Sequence, residues 1–180
     1  MRKFVFEKTP IGGLFVISPS VFADNRGCFF ESYNYLEFQK NGLDLKFVQD
    51  NESFSKKGVI RGLHFQKNNP QSKLVRAVSG EIFDVAVDLR KDSPTFKKWF
   101  GVILSAENKK QLFIPEGFAH GFSVLSETAI VSYKCSRYYD VSDECGIIFN
   151  DSRLAIDWKI PNGISPILSK KDSELLSLTE

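Results

Sequence analysis

Ser79-Gly80-Glu81-Ile82-Phe83-Asp84-Val85-Ala86-Val87-Asp88 reads as a tight turn opening into a β-strand. Glycine suits the turn. The residues after it alternate, with Phe83, Val85 and Val87 on one side and Ile82, Asp84, Ala86 and Asp88 on the other. Asp84 stands mid-strand between small apolar neighbours. Either it faces solvent, or it lies in a barrel interior, where a carboxylate needs a histidine or lysine partner.

Outward from this stretch, short β-branched and aromatic runs bounded by glycine, proline or asparagine recur. They fall at Leu14–Ser18, Cys28–Tyr33, Phe47–Ser55, Val59–Phe65, Leu74–Ser79, Ile82–Leu89, Phe100–Leu104, Gln111–Ile114, Gly121–Leu125, Ala129–Cys135 and Ile147–Phe149. Helical character is confined to Leu36–Asn41 and the tail after Ser169. The pattern predicts an all-β antiparallel sandwich or barrel. No repeat, low-complexity tract or linker interrupts it, so residues 1–180 are expected to form one domain with a short C-terminal tail.

Composition agrees. A chain of 180 residues suits one domain, and a core of that size buries about 70% of the surface exposed by the unfolded chain. Apolar residues make up 42%, and 17 phenylalanines favour cross-strand packing in a sheet. A net charge of +2 points away from nucleic acid or an anionic membrane as the main partner. Cys28, Cys135 and Cys145 are odd in number and lack C-x-x-C spacing, against a disulfide framework or a zinc site. Met1-Arg2-Lys3 could begin a leader, but Glu7 and Lys8 interrupt the apolar run. No segment has the length of a membrane span, and a reducing cytoplasm is the expected compartment.

Both histidines are framed by glycine, in Ile60-Arg61-Gly62-Leu63-His64-Phe65-Gln66 and in Pro115-Glu116-Gly117-Phe118-Ala119-His120-Gly121-Phe122. A β-barrel could point His64, Lys73, His120 and Tyr133 into one cavity, where burial tunes their proton affinities. Strict alternation would put Arg61 and His64 on opposite faces of their strand. Irregular backbone is therefore expected at Gly62. Arg26, Arg61, Arg76 and Lys171 are scattered cations that could converge on a phosphate or diphosphate, or simply be solvated.

Ordered, closely spaced segments then carry a resemblance along about 150 residues of the chain. They are Phe22-Ala23-Asp24-Asn25-Arg26-Gly27 with Phe29, Phe30, Glu31 and Ser32; Phe47-Val48-Gln49-Asp50-Asn51; Arg61–Gln66; Lys73-Leu74-Val75-Arg76; Gly80-Glu81 with Asp84–Asp88; Pro115–Phe122; Tyr133-Lys134; Tyr138-Tyr139; and Trp158. The chain resembles the dTDP-4-dehydrorhamnose 3,5-epimerase family, cupin-type enzymes of deoxysugar nucleotide biosynthesis. The fold this implies is a double-stranded β-helix, or jelly roll, with a few short helices.

The implied reaction converts dTDP-4-dehydro-6-deoxy-D-glucose to dTDP-4-dehydro-L-rhamnose, on the way to dTDP-L-rhamnose. The C3 and C5 protons both adjoin the C4 ketone, so their removal gives an enolate. Epimerisation needs a base on one face, an acid on the other and positive charge at the enolate oxygen. The ketone is the electron sink, so no cofactor or metal is implied. An imidazole ordinarily titrates at roughly 6.5 and can accept a proton at physiological pH. By position the resemblance makes His64 the base, Tyr133 the acid, Lys73 the enolate stabiliser and Asp172 the carboxylate that orients His64. Read alone, Ser169-Lys170-Lys171-Asp172 is a helix start with Ser169 as N-cap. The two roles are compatible if the tail folds over the pocket.

The resemblance also assigns substrate contacts to Arg26, Phe29, Glu31, Gln49, Asn51, Arg61, His120, Glu144 and Lys171, with Tyr139 stacked on thymine. It implies a homodimer whose Arg26–Glu31 segment reaches the partner's site. Cys145 and Gly146 depart slightly from the family pattern after Glu144. Three alternatives are a single-site 3- or 5-epimerase acting on this or another 4-keto-6-deoxy nucleotide sugar, a metal-dependent cupin and a non-catalytic sugar-nucleotide binder. The second histidine of a metal cupin's H-x-H pair is missing, since Phe65-Gln66 follows His64, and His64 and Tyr133 are both retained, against the binder.

Overall fold

The computed structural model describes residues 3–178, so Met1-Arg2 of the possible leader lie outside the described residues. Two antiparallel sheets face one another as a jelly roll. The first has six strands in the order β1 (Phe4–Lys8), β2 (Phe15–Pro19), β10 (Gln111–Ile114), β7 (Lys73–Ser79), β12 (Thr128–Cys135) and β5 (Gln49–Lys56). The second has five, in the order β13 (Glu144–Gly146), β6 (Ile60–Gln66), β11 (Phe118–Val124), β8 (Glu81–Asp88) and β9 (Trp99–Ser105). A small hairpin, β3 (Phe22–Asp24) with β4 (Gly27–Phe29), stands apart. The helices are α1 (Tyr35–Lys40), capped by Asn34, and α2 (Lys170–Ser173), capped by Ser169. Among the described residues, no helix is long and apolar enough to cross a membrane.

The Ser79–Asp88 stretch explains the two-layer design. Gly80 turns the chain from β7 in one sheet to β8 in the other. Its φ is +72°, and a Cβ there would lie 2.1 Å from the Thr128 carbonyl oxygen. Only glycine fits this turn. β8 is buried on both faces because its alternating residues serve different cores. Ile82 and Ala86 join Val75, Ala77, Leu112, Phe122 and Val131 between the sheets. Phe83, Val85 and Val87 pack behind the second sheet with Leu63, Leu154 and Trp158. A third cluster, with Phe4, Ile17, Leu74 and Phe113 under Phe38 of α1, covers the back of the first sheet.

Several expected strands shift. Cys28–Tyr33 shortens to β4, and β11 begins at Phe118 rather than Gly121, which puts His120 inside a strand. Ile147–Phe149 is not a strand. Ile147 exchanges two backbone hydrogen bonds with Leu63 and buries its side chain with Trp158, after which the chain turns away. The pairing edge is instead Glu144–Gly146. β1 was not expected, yet its five residues pair in register with β2.

The expectation at Gly62 holds. The β6–β11 register shifts between His120 and Phe122, and Gly62 has φ +116°. A Cβ on Gly62 would meet Gly121 Cα at 2.6 Å, so the two strands approach at a pair of glycines. The Gly62–Leu63 peptide bond is cis.

Candidate active site

The inner face of the first sheet changes character along its length. Three strands in register make rows across it. Ser53, Val131 and Ala77 form the deepest row, Asn51, Tyr133 and Val75 the next, and Gln49, Cys135 and Lys73 the outermost. The apolar core between the sheets therefore gives way to amides, a phenol and an amine as the barrel opens. The facing sheet contributes Arg61, His64 and His120, with His64 directly opposite His120 in the β6–β11 pairing. Between the sheets lies a cavity of about 590 Å³, lined by these polar groups and closed at one side by α2.

His64 and Asp172 meet in this cavity. His64 Nε2 lies 2.6 Å from Asp172 Oδ1, although the residues are 108 apart in sequence. The tail supplies the carboxylate. Ile167 pairs with the backbone at Gly58 and Ile60, and Leu176 binds Ile148. Asp172 N–H donates to Ser169 Oγ at 3.0 Å, so Asp172 takes part in the helix cap and in the histidine pair at once. Burial alone would raise the Asp172 carboxyl. The His64 hydrogen bond and charge, with Ser169 and Lys171, outweigh it and hold the group below the usual carboxylate range.

A second pair sits beside the first. His120 Nε2 lies 3.1 and 2.9 Å from the two oxygens of Asp84, which is fully buried. Asp84 is opposite Phe122 in the β8–β11 ladder, so His120 is its diagonal neighbour on the same face. The interior reading of Asp84, with a histidine partner, is the one observed.

On the facing sheet, burial pushes the Lys73 ammonium below its ordinary value, and its side chain donates to Gln71 Oε1 at 3.2 Å. Burial pushes the Tyr133 phenol up, only partly opposed by the charge of Arg61, so it keeps its proton at neutral pH.

The rim is internally bonded. Glu144 accepts from Tyr139 Oη and from Lys171 Nζ, both at 2.7 Å. Gln49 Oε1 accepts from the Tyr139 backbone, and Gln49 Nε2 donates to Asn51. Arg61 is tethered to Ser55 Oγ and the Phe54 carbonyl.

Eleven of the expected site residues thus line one cavity: Gln49, Asn51, Arg61, His64, Lys73, His120, Tyr133, Tyr139, Glu144, Lys171 and Asp172. Three do not. Arg26 and Phe29 lie on the β3–β4 hairpin, where Arg26 binds Asp24 and Phe29 is 69% exposed. Glu31 pairs with Lys3. Arg76, another scattered cation, lies outside the cavity lining.

Sequence reading missed Ser53, Gln71 and Cys135, which also line the cavity. Ser53 and Cys135 each lie two residues from an assigned one on the same strand, so alternation could have found them, whereas Gln71 precedes β7 and carries no such signal. Ser53 Oγ is the sole buried side-chain polar atom without a hydrogen-bond partner among the described residues.

The chain is similar to known proteins in sequence and in fold. Residues 8–180 match the family model described as dTDP-4-dehydrorhamnose 3,5-epimerase. A dTDP-4-dehydrorhamnose 3,5-epimerase of Methanothermobacter thermautotrophicus is 52% identical over 180 residues, covering 100% of this chain and 97% of the relative. That of Salmonella typhimurium is 56% identical, covering 92% and 91%. A crystal structure of dTDP-6-deoxy-D-glucose-3,5-epimerase from Legionella pneumophila, in complex with dTDP-4-keto-L-rhamnose, superposes with a TM-score of 0.93 at 47% identity, covering 97% of this chain and 92% of that one.

Proposed function

The chain belongs to the dTDP-4-dehydrorhamnose 3,5-epimerase family, and from that premise we propose a double epimerisation of dTDP-4-dehydro-6-deoxy-D-glucose to dTDP-4-dehydro-L-rhamnose. The enzyme is an isomerase. The observation that carries the residue assignments is the pairing of His64 with Asp172 in a cavity whose opposite wall presents Tyr133 and Lys73.

Asp172 accepts a hydrogen bond from Nε2 of His64, which leaves the lone pair on Nδ1 as the proton acceptor. That nitrogen removes the proton at C3 or C5. Electron density moves into the C4 ketone, and Lys73 stabilises the enolate oxygen electrostatically. Tyr133, protonated and on the facing sheet, returns a proton from the other side of the ring, which inverts the carbon. Water then restores the phenol and the imidazole. Gln49, Asn51, Arg61, His120, Tyr139, Glu144 and Lys171 hold the nucleotide sugar.

The same reading makes the chain one domain and a homodimer, with Arg26, Phe29 and Glu31 serving the partner's cavity. The projecting hairpin, with Phe22 51% and Phe29 69% exposed, supports it. A reducing cytoplasm is proposed as the compartment, in keeping with three unpaired cysteines.

Incubation with the keto sugar in deuterated water, followed by NMR, tests the reaction. Deuterium is expected at both carbons. Label at one carbon makes the protein a single-site epimerase, and no label at either refutes the reading. Mixing inactive Arg26→Ala and His64→Ala chains tests the dimer. Activity should return in mixed dimers, where one site combines an intact His64 with the other chain's Arg26. No recovery on subunit exchange would count against a shared site.

A further inference from the structure

The two histidine–carboxylate pairs are not under the same constraint on their charge. Asp84 lies in the centre of β8, flanked on its face by Ile82 and Ala86 and opposed by Phe122 and Val102 on the neighbouring strands. Its side chain is 0% exposed, and His120 is its only side-chain hydrogen-bond partner among the described residues. A lone negative charge in such surroundings is strongly disfavoured, so the pair is held to zero net charge.

Only two arrangements achieve this. Either Asp84 is ionised and His120 is an imidazolium, or the proton between them sits on Asp84 and His120 is neutral. In both, Nδ1 of His120 carries a hydrogen. His120 lines the cavity, and Nδ1 makes no hydrogen bond to a described residue. Since it is not among the buried unpartnered atoms, it is open to the cavity.

The His64 pair is under no such constraint. His64 is 30% exposed on its side chain, and Asp172 has Ser169 and Lys171 close by to support its charge. There the carboxylate has support besides the imidazole, so the geometry does not require the pair to be neutral.

We infer that Asp84 is a positioning residue that, from beneath the pocket, fixes His120 as a hydrogen-bond donor to the enolate oxygen, opposite the lone-pair nitrogen that Asp172 leaves on His64. Two imidazoles face each other across a strand pair, and their carboxylates set one as acceptor and the other as donor. The inference rests on the epimerase reading for its substrate but not for its tautomer.

Nitrogen-15 NMR of the histidine-labelled wild-type protein tests the tautomer without substrate. Nδ1 of His120 should be protonated, and an unprotonated Nδ1 overturns the inference even if the enzyme epimerises. Asp84→Leu, with Asp84→Asn as the milder change, should lower kcat about a hundredfold while KM stays within about twofold. Adding Asp84→Leu to His120→Phe should cost nothing more, because the carboxylate acts through the imidazole. Unchanged kcat, a rise in KM alone, or an equal loss in the His120→Phe background would each overturn it. If the wild-type protein exchanges no deuterium from solvent, the epimerase reading fails, and the nitrogen spectrum still decides the charge of the pair.

Discussion

The two histidine–carboxylate pairs differ in how the chain builds them. Asp84 and His120 come from adjacent strands, 36 residues apart, and their contact is part of the sheet. Asp172 comes from a four-residue helix at the end of the chain and crosses 108 residues to reach His64. The first pair is nearly buried, at 9% and 0% side-chain exposure, and the second is open on the histidine side, at 30% and 4%. The same residue types therefore serve different chemistry. On the proposed roles, the more buried pair stays neutral and presents a hydrogen, whereas the open pair tolerates charge and presents a lone pair. On those roles, burial rather than residue identity separates donor from base.

The sharpest way to break this contrast is to remove the proposed base. His64→Ala should lower epimerisation about a thousandfold or more, as expected for loss of a general base, while calorimetry shows dTDP binding largely retained. Asp172→Asn leaves the imidazole in place but frees its tautomer and orientation. A loss of about a hundredfold in kcat is expected there, with a normal thermal midpoint. If Asp172→Asn instead unfolds the tail, limited proteolysis after Ser169 will show it.

Asp88 sharpens the comparison from the structural side. It lies four residues beyond Asp84 on the same strand and is just as buried, but it faces the mouth of the Arg90–Thr95 loop. Burial alone would raise its carboxyl, but hydrogen bonds from Arg90, Ser93 and Thr95 outweigh that and hold it far below the usual range. With the folded value depressed, its stabilising contribution is complete above the unfolded value of about 3.9 and fades as the pH falls below it. Asp88→Asn should therefore cost about 2 kcal/mol near neutrality. The gap in urea midpoint from wild type should narrow in acid, with kcat unaffected.

The smallest effect belongs to the rim. Glu144→Gln loosens Lys171 and Tyr139 together, and because Lys171 is exposed, stability should change by less than about 1 kcal/mol. Its signature is a few-fold rise in KM with kcat preserved.

Much of this was legible in the chain. The alternation of Ile82–Asp88 implied a strand but left open whether Asp84 faced solvent or the interior, and the parity conflict between Arg61 and His64 located the irregularity at Gly62. The helix start at Ser169 was also readable from local residue types. The meeting of Asp172 with His64 was not, because it depends on how a tail packs over a barrel. Only resemblance to known enzymes pointed there. Glu144–Gly146 escaped notice because an edge strand pairs on one side and needs no apolar run. Ile147–Phe149 looked like a strand because its apolar side chains fill a core from a loop. Ser53 was within reach, since it continues the alternation of Gln49 and Asn51.

In the proposed mechanism, base and acid stand on opposite walls of one cavity. Tyr133→Phe in deuterated water tests it most directly, with label and configuration at C3 and C5 followed together by NMR. Deuterium should still enter through His64 while inversion is lost, so exchange and epimerisation separate. If Tyr133→Phe inverts the carbons at the wild-type rate, or loses exchange as completely as His64→Ala, the two walls do not have the roles given to them.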